Sequence, residues 1–272
     1  MLYVDLPGAR VPALGFGTWR LTGAACRDAV RSALSLGYRH LDTAAMYDNE
    51  DEVGMALDES TVPRADVFLT TKVWTENLRA SDLVRSAEGS LRKLRTDYVD
   101  LLLVHWPNDA VPLDETLRAL ERVRAAGKAR FVGVSNFPSG LFRRALTEAG
   151  AACNQVEYHP YLDQSKLLAL CRSHEAMLTA YTPLAKGRVE QDETIRAVAE
   201  AHGKTPSQVT LRWHVQQPNV AAIPKAASLA NRKANLDIFD FALTDDEMAR
   251  ITALTAQNAR IVNPGFAPDW SA

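Results

Sequence analysis

Tyr98-Val99-Asp100-Leu101-Leu102-Leu103-Val104-His105 is a β-rich run with a histidine placed just past its end. Six other runs repeat that design. Residues 38–42 end on Asp42, 67–71 are followed by Lys72, 130–134 by Ser135 and Asn136, 153–157 enclose Gln155, 177–180 are followed by Tyr181, and 220–223 lead to Lys225. Residues 13–18 supply an eighth strand in front. Segments of helical periodicity lie between: Leu83, Ala87, Leu91 and Leu94 share one stripe, and Leu113, Leu117, Leu120 and Val123 another. Helix ends are marked by Gly37 and Gly127 and by two capping boxes, Thr205-Pro206-Ser207-Gln208 and Thr244-Asp245-Asp246-Glu247. Strands that alternate with helices make a parallel sheet with crossover helices. An open doubly wound sheet would alternate in the same way. The polar residues decide between the two, because they fall near the ends of seven successive strands, the face on which barrel enzymes carry their sites. The expected fold is a single (β/α)8 TIM barrel forming one domain over residues 1–272. An antiparallel hairpin of residues 2–6 and 11–12, turned at Pro7-Gly8, should cover its bottom. The tail after Ala256, with Pro264, Gly265 and Pro268, reads as a short irregular arm.

Composition agrees with one large core. The chain has 272 residues, 47% hydrophobic and 24% charged, with a formal net charge of −2. A barrel of about 250 residues is usual. Nothing in this balance offers a basic field to nucleic acid. The first ten residues contain no apolar leader core, and no window approaches the roughly 18 apolar residues of a spanning helix. A cytoplasmic protein with no membrane partner is expected. Cys26, Cys153 and Cys171 are dispersed and form no C-x-x-C, so they read as reduced packing residues, with no zinc site and no disulfide framework.

Several motifs begin and fail. Gly15-Phe16-Gly17-Thr18-Trp19-Arg20 opens like a dinucleotide fingerprint but ends on arginine. His174-Glu175-Ala176-Met177-Leu178 lacks the second histidine of a zinc protease. There is no G-x-S-x-G elbow and no Walker loop. These failures count against Rossmann, metallohydrolase, serine hydrolase and kinase chemistry.

What the chain does carry is Gly15-Phe16-Gly17-Thr18-Trp19, then 38–50 (Tyr38-Arg39-His40-Leu41-Asp42-Thr43-Ala44-Ala45-Met46-Tyr47-Asp48-Asn49-Glu50), Thr71-Lys72-Val73-Trp74, Val104-His105-Trp106-Pro107, Gly133-Val134-Ser135-Asn136-Phe137, Asn154-Gln155-Val156-Glu157 and Ile223-Pro224-Lys225. In order and spacing these resemble the aldo-keto reductase family over nearly the whole chain. The bacterial 2,5-diketo-D-gluconate reductases, some of which also reduce methylglyoxal, are the nearest in pattern, down to the ending 258–270. The resemblance implies NAD(P)H-dependent reduction of small polar aldehydes and ketones by a monomeric enzyme.

Asp42, Tyr47, Lys72 and His105 match the family's catalytic tetrad. Carbonyl reduction needs a hydride donor, a proton donor and a group that fixes the oxygen between them. Tyr47 matches the acid. A free phenol has a pKa near 10, and about 4 kcal/mol separates that from neutrality. An ammonium at about 4 Å supplies a comparable amount at an effective dielectric near 20. Lys72 is therefore expected to lower the Tyr47 pKa, Asp42 to keep Lys72 charged, and His105 to direct the substrate oxygen. Taken singly, Asp42 and Lys72 also read as a structural ion pair, His105 as a satisfied core histidine and Tyr47 as an ordinary surface residue.

By the same resemblance the cofactor is NADPH, with NADH use open. Gly17, Thr18, Asp42, Ser135, Asn136, Gln155, Tyr181, Pro183, Leu184, Lys225, Arg232 and Asn235 are the matching cofactor positions. Ser135, Asn136 and Gln155 would hold the carboxamide and Tyr181 would stack on the ring, although Ser135 and Asn136 could instead only turn the chain. At the phosphate end the pattern departs, because Ala226 replaces the usual Ser or Thr and Asn231 an arginine. Arg232 and Lys233 are the substitutes at hand, although Arg232, one position later on a helix, is turned about 100° from the usual arginine. Trp19, Tyr47, Trp74, His105 and Trp106 match the substrate pocket. The short loops 108–112 and 184–192 suggest an open mouth. Two other classes remain: a non-catalytic NADPH sensor, which would bind cofactor and turn nothing over, and a barrel isomerase, whose tryptophan fluorescence NADPH would not quench.

Overall fold

A computed structural model describes residues 1–271. Eight parallel strands form the sheet, each hydrogen-bonded to the next in chain order: β3 (Phe16–Gly17), β4 (His40–Asp42), β5 (Phe68–Val73), β6 (Val99–Val104), β7 (Ala129–Ser135), β8 (Cys153–Glu157), β9 (Met177–Tyr181) and β10 (Val220–Ala222). The sheet closes where Leu14 bridges Ala222. Gly15 N donates to Ala222 O at 2.8 Å and Ala222 N to Ala13 O at 2.8 Å. The molecule is a (β/α)8 barrel. Strands β5 and β6 are buried at every residue, as expected of strands covered by side chains inside and helices outside.

The hairpin β1 (Tyr3–Leu6) and β2 (Ala9–Pro12) pairs antiparallel, with Tyr3 opposite Pro12, and Gly8 takes φ 88° in its turn. Helix α3 (Ala80–Lys93) buries Leu83 and Ala87, and α4 (Leu113–Ala125) buries Leu117, Leu120 and Val123, the stripes read from the sequence. Both capping boxes are present, Thr205 with Gln208 on α8 (Pro206–Gln216) and Thr244 with Glu247 on α10 (Asp245–Ala253). No helix among the described residues is long and apolar enough to cross a membrane.

Strand boundaries differ from expectation in ways that matter for the site. The first strand keeps two residues of the expected six, because 13–15 pair instead with β10 as the closing seam. β5 runs on to Val73, whose carbonyl accepts His105 N at 3.0 Å, so Lys72 lies inside the ladder. β8 keeps its expected bounds, which put Gln155 in mid-strand rather than at or beyond the end, paired with Ser135 and Thr179 and with its side chain reaching into the barrel.

Helix α2 (Glu50–Asp58) packs against the end of α3 at Gly54. A Cβ there would lie 2.2 Å from Lys93 O and 2.8 Å from the Leu94 carbonyl carbon. Gly54→Ala should therefore lower stability by about 1–3 kcal/mol through overpacking, a drop of several degrees in melting temperature. An unchanged melting curve would contradict this packing.

Candidate active site

The mouth of the barrel is organised by one buried ammonium. Lys72 is fully buried, and its Nζ donates to Asp42 Oδ1 at 2.6 Å, Thr43 O at 2.7 Å and Tyr47 Oη at 3.2 Å. All three protons of the ammonium are used. Gln155 Nε2 donates to the other Asp42 oxygen at 2.6 Å, which ties β8 to β4 across the barrel. Burial would push Lys72 down, but the Asp42 carboxylate and the Tyr47 phenol outweigh it, and its pKa is raised. The lysine stays charged.

Tyr47 is delivered by a short 3-10 turn, Ala45–Tyr47, just past β4. That turn is held by Asn49, a fully buried residue the sequence reading gave no role. Its Nδ2 donates to Thr18 O at 2.9 Å and Leu21 O at 2.8 Å, while Thr43 Oγ1 donates to its Oδ1 at 2.7 Å. Those carbonyls lie 31 and 28 residues earlier in the chain, so only the folded structure reveals the clamp. Glu50 adds a second tie by accepting from Thr71 Oγ1 at 2.5 Å.

The expected lowering of the Tyr47 pKa is not what the geometry gives. Burial raises it, and the neighbouring Lys72 ammonium, partly offset by the Asp42 charge, does not reverse that. Tyr47 rests as the neutral phenol. His105 moves the other way: burial, then Lys72, holds its pKa well below the usual 6.5. Its ring is neutral, lies 5.6 Å from Tyr47 between centroids, and has a buried Nδ1 with no hydrogen-bond partner. Trp19 packs on Tyr47 at 4.7 Å and Trp74 on His105 at 5.1 Å. Trp106 faces Phe266 and Trp270 of the C-terminal arm at 5.5 and 6.0 Å. The arm thus closes over a mouth that the short loops alone would leave open.

The residues aligned with the carboxamide form their own network. Asn136, at φ 62°, turns the chain after β7. Its Nδ2 donates to His105 O at 3.0 Å and Ser135 Oγ at 3.1 Å, and its Oδ1 accepts from Tyr181 Oη at 2.7 Å. Ser135 Oγ donates to Gln155 O at 2.7 Å. These side chains both turn the chain and frame the pocket, and Gln155 Oε1 is left as a free acceptor. Gly17 lies where a Cβ would meet Ile223 O at 2.7 Å, and the Thr18 hydroxyl donates to Asp42 O at 3.0 Å, so both shape the seam beside Asp42. Pro183 and Leu184 follow Tyr181 toward the 3-10 segment Ala185–Gln191.

Arg232 is not placed as expected. It is only 7% exposed, and its Nη1 donates to Ala226 O at 3.1 Å and Ala227 O at 2.7 Å, so it braces the loop from inside. The one-residue offset from the family position turns it about 100° around α9 (Leu229–Leu236), toward the protein. Lys225 and Lys233 are exposed. Asn235 is 5% exposed, and its amide has no hydrogen-bond partner among the described residues. An unpartnered amide, an exposed cation without a carboxylate, the Gln155 acceptor and the Tyr181 ring fit a nicotinamide nucleotide lying across the mouth.

A neutral phenol above a buried ammonium, next to a neutral imidazole, is equipment for handing a proton to a carbonyl oxygen. The chain belongs to the aldo/keto reductase family, whose model matches residues 13–256. It is similar to methylglyoxal reductase DkgB of Escherichia coli O157:H7, 42% identical across 96% of this chain and 99% of that one. It is also similar to glyoxal reductase of Bacillus subtilis strain 168, 38% identical across 94% of each. Among solved structures, one provisionally assigned as a 2,5-diketo-D-gluconic acid reductase B superposes with a TM-score of 0.96 at 51% identity, covering 100% of this chain and 98% of that one. The protein is an oxidoreductase of a family that uses nicotinamide cofactors.

The depressed His105 pKa has a consequence for stability. The unfolded chain takes up this proton near pH 6.5, before the folded chain does, so the stability of the neutral ring is present above that pH and is lost as pH falls from there. His105→Gln should flatten the fall of melting temperature between about pH 7 and 5, removing up to about 1.4 kcal/mol per pH unit. Parallel curves for the two proteins would count against a neutral His105.

Proposed function

We propose that the protein reduces small polar aldehydes and ketones, 2-oxoaldehydes such as methylglyoxal and keto-sugar acids such as 2,5-diketo-D-gluconate, to alcohols, with Tyr47 as the proton donor. The observation that carries this reading is the Tyr47 hydroxyl held 3.2 Å from the buried Lys72 ammonium. A bound reduced nicotinamide supplies the hydride equivalent that reaches the carbonyl carbon. Everything else falls to side chains of this chain. His105, neutral, donates a hydrogen bond that fixes the carbonyl oxygen beside the phenol. Tyr47, protonated at neutral pH, passes its proton to that oxygen, and the negative charge that develops on the phenolate is met by the Lys72 ammonium already in place. Lys72 therefore acts on the transition state more than on the resting acid, which is where charge stabilisation accelerates a reaction. Asp42 and Gln155 keep that charge positioned. Trp19, Trp74 and Trp106 wall the substrate and exclude water.

NADPH is the preferred donor in this reading. Exposed Lys225 would hold the 2′-phosphate, whereas Arg232, committed to Ala226 O and Ala227 O, would contribute little charge there. The preference over NADH is accordingly modest, and NADH supports measurable turnover.

Tyr47→Phe should lower kcat for methylglyoxal by about 10²–10⁴, the usual contribution of a general acid, followed by the loss of NADPH absorbance. Wild-type turnover in the phenylalanine variant would end the assignment. Lys225→Met should weaken NADPH binding by roughly fivefold, as one exposed charge contact does, while leaving NADH binding unchanged. Equal losses for both cofactors would contradict the phosphate assignment.

A further inference from the structure

The C-terminal arm is fastened to the barrel by three backbone amides. Ala259 N donates to Tyr161 O, Ile261 N to Glu157 Oε1 and Val262 N to Glu157 Oε2, each at 2.7 Å. Glu157, fully buried at the end of β8, also pairs with His159 Nε2 at 2.8 Å. Arg260 lies between these anchored amides, so its backbone is fixed on both sides. Its guanidinium stacks on Trp270, with Cζ 3.6 Å from the ring centroid. Trp270 meets Trp106, Trp106 meets Phe266, Phe266 meets Trp74, and Trp74 meets His105. Arg260 thus belongs to the same aromatic wall as the reacting groups.

What this guanidinium lacks is an acceptor. Among the described residues its side chain makes no hydrogen bond and no ion pair, and Nη1 is buried without a partner. Other partly or fully buried arginines obey the opposite rule. Arg39 donates to Leu34 O and Tyr38 O, Arg64 to Val67 O, Tyr98 O and Asp100, and Arg232 to Ala226 O and Ala227 O. Glu157 is close enough to act on Arg260 electrostatically, but both its oxygens are committed to the arm's amides and His159. A partly buried cation that lacks an anion is left incompletely compensated, and a planar guanidinium fork is complementary to a carboxylate.

We propose that Arg260 receives a carboxylate carried by the substrate, so that the carbonyl compounds this protein prefers are oxo acids. The proposal rests on the carbonyl-reduction reading above. With the carboxylate at Arg260, the carbon chain of the substrate lies along Trp106 and Trp74, and its carbonyl reaches Tyr47 and His105. The arm is then part of the substrate site, and Glu157 sets where its charge stands.

A matched pair of aldehydes tests this: succinic semialdehyde, which carries a carboxylate, and butanal, which does not. In Arg260→Met, kcat/KM for succinic semialdehyde should fall by about tenfold or more while butanal changes by less than about twofold, and Arg260→Lys should recover part of the loss. NADPH affinity, read from tryptophan quenching, should stay the same. Calorimetry should show unreactive succinate binding the unaltered protein and not Arg260→Met. Equal losses for both aldehydes would make Arg260 a staple for the arm. A matching loss of NADPH affinity would assign it to the cofactor's phosphates, and an unchanged semialdehyde rate would remove it from recognition. Each of these outcomes overturns the proposal. If the unaltered protein reduces neither aldehyde, carbonyl reduction itself fails, and the succinate titration still decides Arg260.

Discussion

Everything at the barrel mouth is arranged around the charge on Lys72. Burying an ammonium costs several kcal/mol unless its partners replace the lost water, and here each of its three protons has an acceptor. The partners come from separate elements: Asp42 ends β4, Lys72 lies in β5, Tyr47 rides on the turn after β4, and Gln155 joins from β8. From Gln155 the bonding passes through Ser135 and Asn136 to Tyr181 and to the His105 carbonyl. The barrel has to close with its strands in this register for the charge to be satisfied. In the proposed reaction, the same satisfied charge lets a phenol whose resting acidity burial has weakened give up its proton.

The electrostatics separate the roles of the two proton-bearing groups. Burial acts on both, but it favours the neutral form of each, raising Tyr47 and lowering His105. At neutral pH the site therefore presents an uncharged acid and an uncharged hydrogen-bond donor beside one permanent cation. That combination suits a reaction in which negative charge appears only as the proton leaves.

Much of this was legible in the amino-acid order, for local reasons. Strand and helix periodicity, the two capping boxes and the Pro7-Gly8 turn are properties of short windows, and they placed eight strands and the hairpin close to where they stand; the four tetrad positions came from the family resemblance. What the order could not give depends on distant partners. Asn49 is a clamp only because Thr18 and Leu21 lie beside it in space. Residues 13–15 look like strand but serve as the seam, because β10 is their neighbour. The offset of Arg232 on α9 is visible in the order, but the two carbonyls that take its guanidinium are not. The expected drop in the Tyr47 pKa counted the lysine and omitted desolvation. The arm read as irregular tail, and it is irregular, yet Phe266 and Trp270 bring it over the pocket.

The central claim is that Lys72 remains an ammonium inside the barrel, and direct titration of its side-chain nitrogen by NMR in the intact protein tests it. The account predicts a charged nitrogen up to and beyond the ordinary lysine pKa of about 10.4, with the signal lost from that range in Asp42→Asn. A Lys72 nitrogen already neutral near pH 8 would contradict it.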